Sequence, residues 1–360
     1  MPPVSEFDIK KPVLWLFAGL LVGLVIQMSQ ARYAGNWTGL LSAGSESPLL
    51  PTLAHQLPDL VVFPGVGHDG QATYGVGLDP FLSERPPGVP DASYRYRRIF
   101  LPLLGSGFGA LEGKSLLKAL TTLNLIGFGL GGWAAALIAQ SRRLPGWLSV
   151  GALANVGIWL SLQTTTPDAL AFGLMMLGVA MAVQGRSGGA AVLLAAAVLT
   201  KETYAVVAVG LLAWALARGD RKGAARYAMA IIPAAAWSAY LAGTLGEGLA
   251  TGGNLSLPIV GLIEAAPLWP GTGLRDQILT VLTLVGLGLG VFVTLRRRSG
   301  LWPYLIVPWI LLALVSSHWI WDLGNNSIRS LAPLSTFAIF ALVDRLNSDQ
   351  PSDSLRNLPV

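Results

Sequence analysis

Two polar stretches interrupt this otherwise apolar chain and decide its organisation: H-D-G-Q-A-T-Y-G-V-G-L-D-P-F at residues 68–81 and Y-R-Y-R-R-I-F-L-P-L-L at residues 94–104. They contain two carboxylates and three arginines: Asp69, Asp79, Arg95, Arg97 and Arg98. Most of the other sequence consists of apolar runs of helical length. We therefore expect the apolar runs to form the fold and the polar segment to carry the chemistry.

The composition is typical of a membrane protein. Of the 360 residues, 53% are hydrophobic and only 12% are charged, and the mean hydropathy is +0.58. A soluble domain carries about 25% charged residues. The sequence predicts an all-α fold, namely a polytopic transmembrane bundle of about ten helices surrounded by the lipid bilayer. The net charge of +5 lies in turns, where membrane topology explains it, so no nucleic-acid partner is predicted. The absence of cysteine excludes disulfides and thiolate metal sites.

The predicted spans divide the chain into one integral-membrane domain over residues 1–345 and a cytoplasmic tail over 346–360. The tail is rich in Ser, Asp, Asn and Pro and is expected to be disordered. Residues 31–115 are expected to form a long extracytoplasmic loop that contains short helices. The spans are predicted at residues 12–30, 116–140, 146–163, 168–185, 187–201, 203–218, 226–244, 275–295, 302–317 and 330–345.

The distribution of basic residues predicts the orientation. If both termini are cytoplasmic, the short inner turns hold arginine clusters such as Arg142-Arg143, as the positive-inside rule requires. The loops 31–115, 245–274 and 317–329 and the turns 164–168 and 200–203 then share the outer face. All three histidines, His55, His68 and His318, and most of the nineteen acidic residues fall there. The chemistry is therefore expected on the extracytoplasmic side.

Asp69 lies in the glycine-rich sequence G-H-D-G-Q. A partly desolvated carboxylate near the membrane surface can act as a general base. Glycines at 65, 67 and 70 would permit close approach of a ligand. The alternative is an aspartate in a turn that caps a helix beginning at Gln71.

The segment Tyr94–Arg98 combines arginines, which bind phosphate through two parallel hydrogen bonds, with tyrosines that stack or donate hydrogen bonds. In an extended segment Arg95 and Arg97 would share a face and Arg98 would point away. The alternative is an aromatic and basic belt that contacts lipid headgroups.

Three further outer positions are candidates for ligand binding. Asp168 follows T-T-T-P at the start of a span, where an acid is also favourable for the helix. Lys201-Glu202 lies between two apolar runs, where ionisable residues are costly and usually functional, although the two side chains could also pair with each other. Arg329 precedes the last span and could bind a phosphate or anchor the interface. A divalent metal ion held by His68, Asp69, His318 and Asp322 stays open as an alternative, although nothing in the spacing requires it.

The motifs together resemble those of bacterial polytopic C-type (GT-C) glycosyltransferases. The resemblance rests on D-G-Q-x-x-Y from Asp69, L-D-P-F from Leu78 and Y-R-Y-R-R-I-x-x-P from Tyr94. The later T-x-P-D, L-T-K-E-T and R-x-x-x-P blocks are similar to marks of the same group, and the resemblance spans about residues 12–345.

The resemblance implies a GT-C-like fold in the bacterial plasma (inner) membrane and transfer of a sugar from a polyprenyl-phosphate carrier. It implies that Asp69 is the catalytic residue. The expected substrate-binding residues are His68, Gln71, Tyr74, Asp79, Tyr94, Arg95, Tyr96, Arg97, Asp168, Lys201, Glu202 and Arg329. The soluble C-terminal domain of larger members is lacking in this chain, so the acceptor, a glycan or a lipid, stays open.

The residues themselves fit such a reaction, because it needs a base for the acceptor hydroxyl and cations for the leaving phosphate. Attack opposite the leaving phosphate implies inversion at the sugar carbon. A transporter or flippase of an anionic lipid-linked substrate is the alternative, and it would place ionisable residues at mid-membrane and similar chemistry on both faces. A non-catalytic assembly subunit is a third class, and it would not need the residues around Asp69.

Overall fold

The protein is almost entirely helical, as the all-α prediction requires. A computed structural model describes residues 10–83, 88–245, 253–296 and 300–348. The polar segment before the second long helix is built from short elements. In chain order the first elements are α1 (Lys10–Ala34), a 3₁₀ turn (Trp37–Leu41), β1 (Ala43–Gly44), α2 (Leu50–Gln56), β2 (Val62–Phe63), α3 (Asp69–Leu78), α4 (Ala92–Arg95), a 3₁₀ turn (Tyr96–Arg98) and α5 (Phe100–Gly105).

The remaining elements form the helical body. They are α6 (Gly113–Ser141), α7 (Leu148–Leu153), α8 (Val156–Thr164), α9 (Asp168–Val183), α10 (Ser187–Thr200), a 3₁₀ turn (Glu202–Tyr204), α11 (Ala205–Ala217), α12 (Arg221–Met229), α13 (Ile232–Leu245), α14 (Val260–Ala265), a 3₁₀ turn (Ala266–Gly271), α15 (Leu274–Arg296), α16 (Leu301–Val315), α17 (His318–Trp321), α18 (Gly324–Ser330) and α19 (Ala332–Ser348).

Several helices can cross a membrane. Within the described residues, four stretches meet the length and hydropathy of a span: Pro12–Ala34, Gly113–Ser141, Arg221–Leu245 and Leu274–Arg296. The bent pair α18 and α19, with an angle of 56° between them, would make a fifth. α9, α10, α11 with its preceding turn, and α16 are apolar but have only 10–17 residues. The chain therefore has the helices of a membrane protein, although fewer of full spanning length than predicted.

The predicted span over residues 146–163 is wrong as a single helix. The structure has two short helices there, α7 and α8, separated at Asn155. The Asn155 side chain accepts a hydrogen bond from the backbone of Gly157 and donates to the carbonyl of Ala332, at 2.8 Å. An asparagine that caps a helix in this way favours a new start over continuation. The predicted disordered tail lies outside the described residues beyond Ser348, which ends α19.

Glycines let the central helices pack closely. α6 packs on α9 where Gly127 faces Gly173, and a Cβ at Gly173 would come within 2.0 Å of the Gly127 carbonyl oxygen. Small residues permit such close approach of helices in apolar surroundings. The body formed in this way contains the large buried side chains Phe128, Phe172, Trp302, Trp309 and Phe337. The short elements of residues 36–105 pack on it at the ends of α8, α9 and α10, which positions the polar segment.

Candidate functional site

A glycine-rich turn sets the position of Asp69. Gly65 and Gly67 adopt left-handed backbone conformations, with φ of 84° and 76°. The Gln71 side chain fixes the turn, because its amide nitrogen donates to the Val66 carbonyl at 2.7 Å and its amide oxygen accepts from the Gly44 backbone. α3 begins at Asp69 itself rather than at Gln71. The carboxylate therefore lies at a helix N-terminus, where negative charge is favourable.

Gly70 does not leave room for a ligand, contrary to the expectation from sequence. It is buried, and a Cβ there would come within 1.9 Å of the Thr164 carbonyl oxygen and 2.9 Å of the Leu41 carbonyl oxygen. The missing side chain instead lets the start of α3 pack directly on the end of α8. Gly70 therefore sets the depth of Asp69 against the helical body.

Three arginines from two separate segments surround the Asp69 carboxylate. Arg95 approaches it at 2.6 Å, Arg329 at 3.3 Å and Arg98 at 3.6 Å. The Asp69 side chain is 26% exposed. Burial alone would raise the pKa of this carboxyl, but the charges of Arg95, Arg329 and Arg98 outweigh it and hold the pKa far below its usual range. In this state Asp69 is a fully ionised carboxylate and a weak base.

The expectation that Arg98 points away from Arg95 is wrong because the segment is helical rather than extended. Ala92–Arg95 is α-helical and Tyr96–Arg98 continues as a 3₁₀ turn, so Arg95 and Arg98 lie on one side. Between them lies the Tyr94 ring, whose centroid is 5.3 Å from the Arg95 guanidinium and 4.4 Å from that of Arg98. Arg98 also donates to the Tyr94 hydroxyl. Burial raises the pKa of Tyr94 to about 12, so the hydroxyl keeps its proton at neutral pH.

Lys201 and Glu202 form ion pairs with other residues and not with each other. Glu202 accepts two hydrogen bonds from Arg98, at 3.1 and 3.0 Å. Lys201 donates to Asp168, and both side chains are almost completely buried, at 4% and 2% exposure. The Thr166 hydroxyl donates to the other Asp168 oxygen at 2.8 Å. We call this set the ion cluster: Asp69, Arg95, Arg98, Asp168, Lys201, Glu202 and Arg329.

The ion cluster has more positive than negative charge. It contains four cations and three carboxylates, which leaves one positive charge in excess. Arg329 is 7% exposed, and its Nε and Nη1 atoms have no hydrogen-bond partner among the described residues. Buried N–H groups of a guanidinium without partners are costly. An anion with several acceptor oxygens would satisfy both the excess charge and these donors.

Two cavities flank the ion cluster. The polar cavity, about 740 Å³ in volume, includes His68, the residue before Asp69, and is lined further by Gln30, Tyr33, Trp159, Gln163, Arg275 and Asn325. The cationic cavity, about 240 Å³, is lined on one side by Tyr94, Arg97, Arg98, Lys201 and Glu202. Its other walls are mostly apolar, with Leu255, Leu312 and Ile320. One cavity therefore suits a polar group and the other an anion attached to an apolar chain.

No family model, curated protein or solved structure matches this chain. The functional interpretation therefore rests on the geometry of the site.

Eight of the residues expected to form the site come together. Tyr94, Arg95, Asp168, Lys201, Glu202 and Arg329 lie in or against the ion cluster around Asp69, and Arg97 joins them by lining the cationic cavity. His68 lies on the other side and lines the polar cavity. Burial, together with the charge of nearby Arg329, lowers the pKa of His68, so its imidazole is neutral at neutral pH.

Four other predicted residues support the fold around the site. Gln71 fixes the glycine-rich turn, as described above. The Tyr74 hydroxyl donates to the Gly113 carbonyl at 3.1 Å, and the Tyr96 hydroxyl donates to the Asp79 carbonyl at 3.0 Å. The Asp79 carboxylate accepts hydrogen bonds from the Ser83 backbone and hydroxyl. Each of these hydrogen bonds lies within the protein, so these four residues stabilise the segments that position the site.

The four residues considered for a metal site do not gather. Within the described part of the chain, no group of three or more His, Asp or Glu side chains is arranged to hold a metal ion. His318 lies 3.5 Å from Glu264, whereas Asp69 is surrounded by arginines.

Two residues of the candidate site were not predicted from the sequence. Arg98 could have been found from its helical spacing of three residues from Arg95. Arg275, at the start of α15, lines the polar cavity, and no motif marks it.

Proposed function

We propose that this protein is a membrane glycosyltransferase of the GT-C type. It would move a sugar from a polyprenyl-phosphate carrier to a glycan or lipid acceptor on the extracytoplasmic side. The observation that carries the proposal is a carboxylate held by three arginines between a polar and a cationic cavity. A phosphate leaving group and a hydroxyl acceptor require these two kinds of environment on the two sides of a base.

The donor phosphate fits the cationic cavity. Arg97, Arg98 and Lys201 line it, and its apolar wall would accept the first part of the isoprenoid chain. Arg329 and Arg95 keep unpartnered guanidinium nitrogens next to it in the ion cluster. Arginines hold phosphate through charge-assisted hydrogen bonds, which are about twice as strong as neutral ones. The excess positive charge of the cluster would stabilise the negative charge that develops on the leaving phosphate.

Asp69 would act as the general base. An acceptor hydroxyl in the polar cavity gives its proton to the Asp69 carboxylate as its oxygen attacks the anomeric carbon of the sugar. The bond between that carbon and the phosphate oxygen breaks, and its electron pair leaves with the polyprenyl phosphate. The products are the glycosylated acceptor, polyprenyl phosphate and a protonated Asp69, which releases its proton to water. Attack and departure on opposite faces invert the anomeric configuration.

The three arginines also explain how such a base would be switched on. In the structure they hold the pKa of Asp69 far below its usual range, so the carboxylate attracts a proton weakly. A donor phosphate competes for the same guanidinium groups. Each arginine that turns to the phosphate removes a stabilising charge from Asp69, and the pKa of Asp69 then rises. Binding of the donor phosphate would therefore strengthen the base.

The remaining ion pairs would hold these groups in place. Glu202 orients Arg98 through two hydrogen bonds, and Asp168 orients Lys201. Asp168 is itself fixed by Thr166, whose carbonyl accepts hydrogen bonds from Asn124 of α6 and Ser161 of α8. The cations therefore rest on the rigid helical body, which favours a preorganised phosphate site.

The proposal places the chain across the bacterial plasma membrane about ten times, with both termini cytoplasmic. The short apolar helices α9, α10, α11 and α16 would then count as spans, in addition to those of full length. The ion cluster would lie at the outer surface, where the ends of α8, α9 and α10 meet the polar segment. The basic turns support this orientation through the positive-inside rule.

Asp69→Asn tests the proposal, with the full chain reconstituted in vesicles and a radiolabelled polyprenyl-phosphate sugar as donor. Asparagine keeps the size of the side chain but cannot take the proton, so turnover should fall roughly 10²–10⁴-fold. Donor binding should be equal or tighter, because the substitution removes a negative charge from the phosphate site. Asp59→Asn is the matched control, since Asp59 is 46% exposed and pairs with Lys114 away from the site.

Near-normal turnover in Asp69→Asn would remove Asp69 from the reaction. If the wild type binds the donor but neither hydrolyses it nor transfers its sugar to any acceptor, the transporter alternative becomes the better interpretation.

A further inference from the structure

A third cavity lies next to the polar cavity. It has a volume of about 260 Å³ and lies between α7, α8, α15 and α19, and Val156 lines both this cavity and the polar cavity. We call the third cavity the bilayer groove. The two cavities therefore adjoin each other at Val156.

Two helices each line both cavities in succession. α15 contributes Arg275 and Leu279 to the polar cavity and Leu282 and Gly286 to the bilayer groove. These positions recur at helical spacing and so follow one face of α15 over about 16 Å. α18 does the same with Asn325 in the polar cavity and Ile328 in the groove. Together, the polar cavity and the bilayer groove follow these two helices from a polar mouth into the apolar part of the bundle.

The groove offers an apolar surface. Its walls include Gly151, Ala154, Leu282, Leu334 and Ile339. Its polar side chains have partners within the protein: Asn155 bonds to Ala332 and Gly157, and the Thr283 hydroxyl donates to the Leu279 carbonyl. A surface of this kind matches a hydrocarbon chain and gives a soluble glycan nothing to bond.

The groove is also accessible from the side of α15. Leu282 at its edge is 45% exposed, and neighbouring Val281 and Val285 on α15 are 57% and 62% exposed. These apolar side chains would face lipid in the proposed orientation. A chain could therefore slide into the groove from the bilayer while its headgroup stays above.

The polar cavity indicates the headgroup. Its described lining contains Arg275, neutral His68, amides at Gln30, Gln163 and Asn325, and the Trp159 and Tyr33 rings, but no carboxylate. Amides and aromatic rings suit a hydroxyl-bearing headgroup, and a lining with an arginine and no carboxylate favours a neutral or anionic one. Its volume of about 740 Å³ is in the range of pockets for drug-sized ligands.

We infer that the acceptor is itself a lipid: an amphiphile with a neutral or anionic, hydroxyl-bearing headgroup in the polar cavity and its hydrocarbon chain in the bilayer groove. This inference rests on the proposed function and goes further, because that function leaves glycan and lipid acceptors open. Donor and acceptor would then reach Asp69 from two different apolar walls. The hydrocarbon chain in the bilayer groove would hold the acceptor hydroxyl in position next to Asp69.

Ala154→Phe tests the groove. Ala154 is exposed at the groove wall, so the larger ring can be accommodated by the fold while it occupies the path of the chain. Val150→Phe is the matched control, because Val150 is 49% exposed, does not line the groove and lies in α7, which ends one residue before Ala154. Wild type and both variants, as full chains in phosphatidylcholine vesicles, receive radiolabelled polyprenyl-phosphate sugar. The acceptor is either the lipid extract or the lipid-free glycan fraction of a bacterial envelope.

We expect label to pass only to the lipid extract. At limiting acceptor, Ala154→Phe should lower this transfer by at least about tenfold, which corresponds to about 1.4 kcal/mol. Transfer of the sugar to water should be unchanged in Ala154→Phe, and Val150→Phe should match the wild type in both assays. If Ala154→Phe does not fold, as judged by size-exclusion chromatography, Leu282→Trp on the facing helix replaces it, because Leu282 lines the groove and is 45% exposed.

Equal transfer to the lipid-free fraction, or wild-type transfer in the groove variant, overturns the lipid acceptor and leaves the glycosyltransferase proposal standing. Absence of both transfer and hydrolysis in the wild type instead overturns the proposed function itself.

Discussion

Asp69 has different properties in the site without an anion and in the site with one bound. Its carboxylate pairs with three largely buried arginines, so it stabilises the cluster as long as it keeps its charge. The same arginines make it a poor base while they face it. A ligand that brings its own negative charge changes both properties at once. In the proposed function the cluster would therefore respond to an anion rather than hold a neutral ligand.

Arg329→Gln tests this coupling through pH. Arg329 is one of the charges that hold the pKa of Asp69 low, so its removal should raise that pKa, while Arg95 and Arg98 still act to lower it. The acid limb of the profile of kcat/KM against pH should move to higher pH. The measurement is donor turnover from mildly acidic to neutral pH.

Lys114→Gln is the control for this experiment, because Lys114 pairs with exposed Asp59 and has no contact with Asp69. An acid limb at the same pH in Arg329→Gln and the wild type would show that Arg329 does not set the charge of Asp69.

At the scale of elements, the site depends on how closely α3 lies against α8. The Gly70 backbone meets the carbonyl of Thr164 at the end of α8, and the Thr165 hydroxyl donates to the Leu40 carbonyl at 2.8 Å beside it. Together these contacts fix the height of Asp69 relative to Asp168, which begins the next helix. A change in this packing would move the base away from the cations.

Gly70→Ala should therefore destabilise the protein by about 1–3 kcal/mol, the usual cost of forcing extra atoms into a packed interior. The added methyl group would come within 1.9 Å of the Thr164 carbonyl oxygen, so backbone must shift. Thermal unfolding in detergent measures the effect. Gly243→Ala is the control, because Gly243 is in helix α13 with no atom within 4 Å of its added Cβ, and alanine favours a helix. Equal stability of the two variants would mean that α3 is not packed as described.

The elements also show what the sequence could and could not predict. The apolar periodicity and length of α1, α6 and α15 are strong local signals, and the sequence predicted each of them. The Tyr94–Arg98 segment is too short for its period to distinguish helix from strand, and the wrong choice reversed the direction of Arg98. The interruption at Asn155 depends on a hydrogen bond to Ala332, far away in the chain, so no local pattern could place it.

Most of the site residues could be predicted from the sequence, but their partners could not. Asp69, Arg95 and Arg329 were predicted because ionisable residues are rare in this apolar chain. Their partners could not be assigned, because Asp69 and Arg329 are separated by 260 positions and Arg98 and Glu202 by 104. Glutamine and tyrosine side chains often bind ligands, so the sequence could not show that Gln71, Tyr74 and Tyr96 form hydrogen bonds within the protein instead. Only the structure shows these bonds.

At the scale of the whole molecule, the two ends of the helical body differ. The ion cluster joins segments near residues 69, 95, 168, 201 and 329 at one end. The other end has a smaller network in which Asp344 accepts hydrogen bonds from Arg142 at 3.0 Å and from the Trp302 indole at 2.6 Å. Among the described residues, this second network includes no carboxylate that lines one of the cavities described above, and it is smaller than the ion cluster. This difference between the two ends supports the proposed chemistry at one membrane surface.

This asymmetry leads to a test of topology. α19 begins beside Arg329 and ends at Ser348, and its 17 residues cover about 25 Å, close to the thickness of a bilayer core. Ser83 follows α3 near the ion cluster, and both serines are exposed. Because the chain has no cysteine, Ser83→Cys and Ser348→Cys each create a single thiol that is close in size to the serine.

We expect a membrane-impermeant maleimide to label Ser83→Cys in intact cells and to label Ser348→Cys only after the membrane is permeabilised. The reason is that the basic turn at Arg142 lies at the Ser348 end, where the positive-inside rule places the cytoplasm. Labelling of both variants after permeabilisation is the control for thiol reactivity. The reverse pattern in intact cells would place the ion cluster on the cytoplasmic side. The proposed site would then face away from the extracytoplasmic donor, and the proposal would be wrong. Labelling of both variants in intact cells would mean that α19 and the segments around it do not separate the two ends across the bilayer.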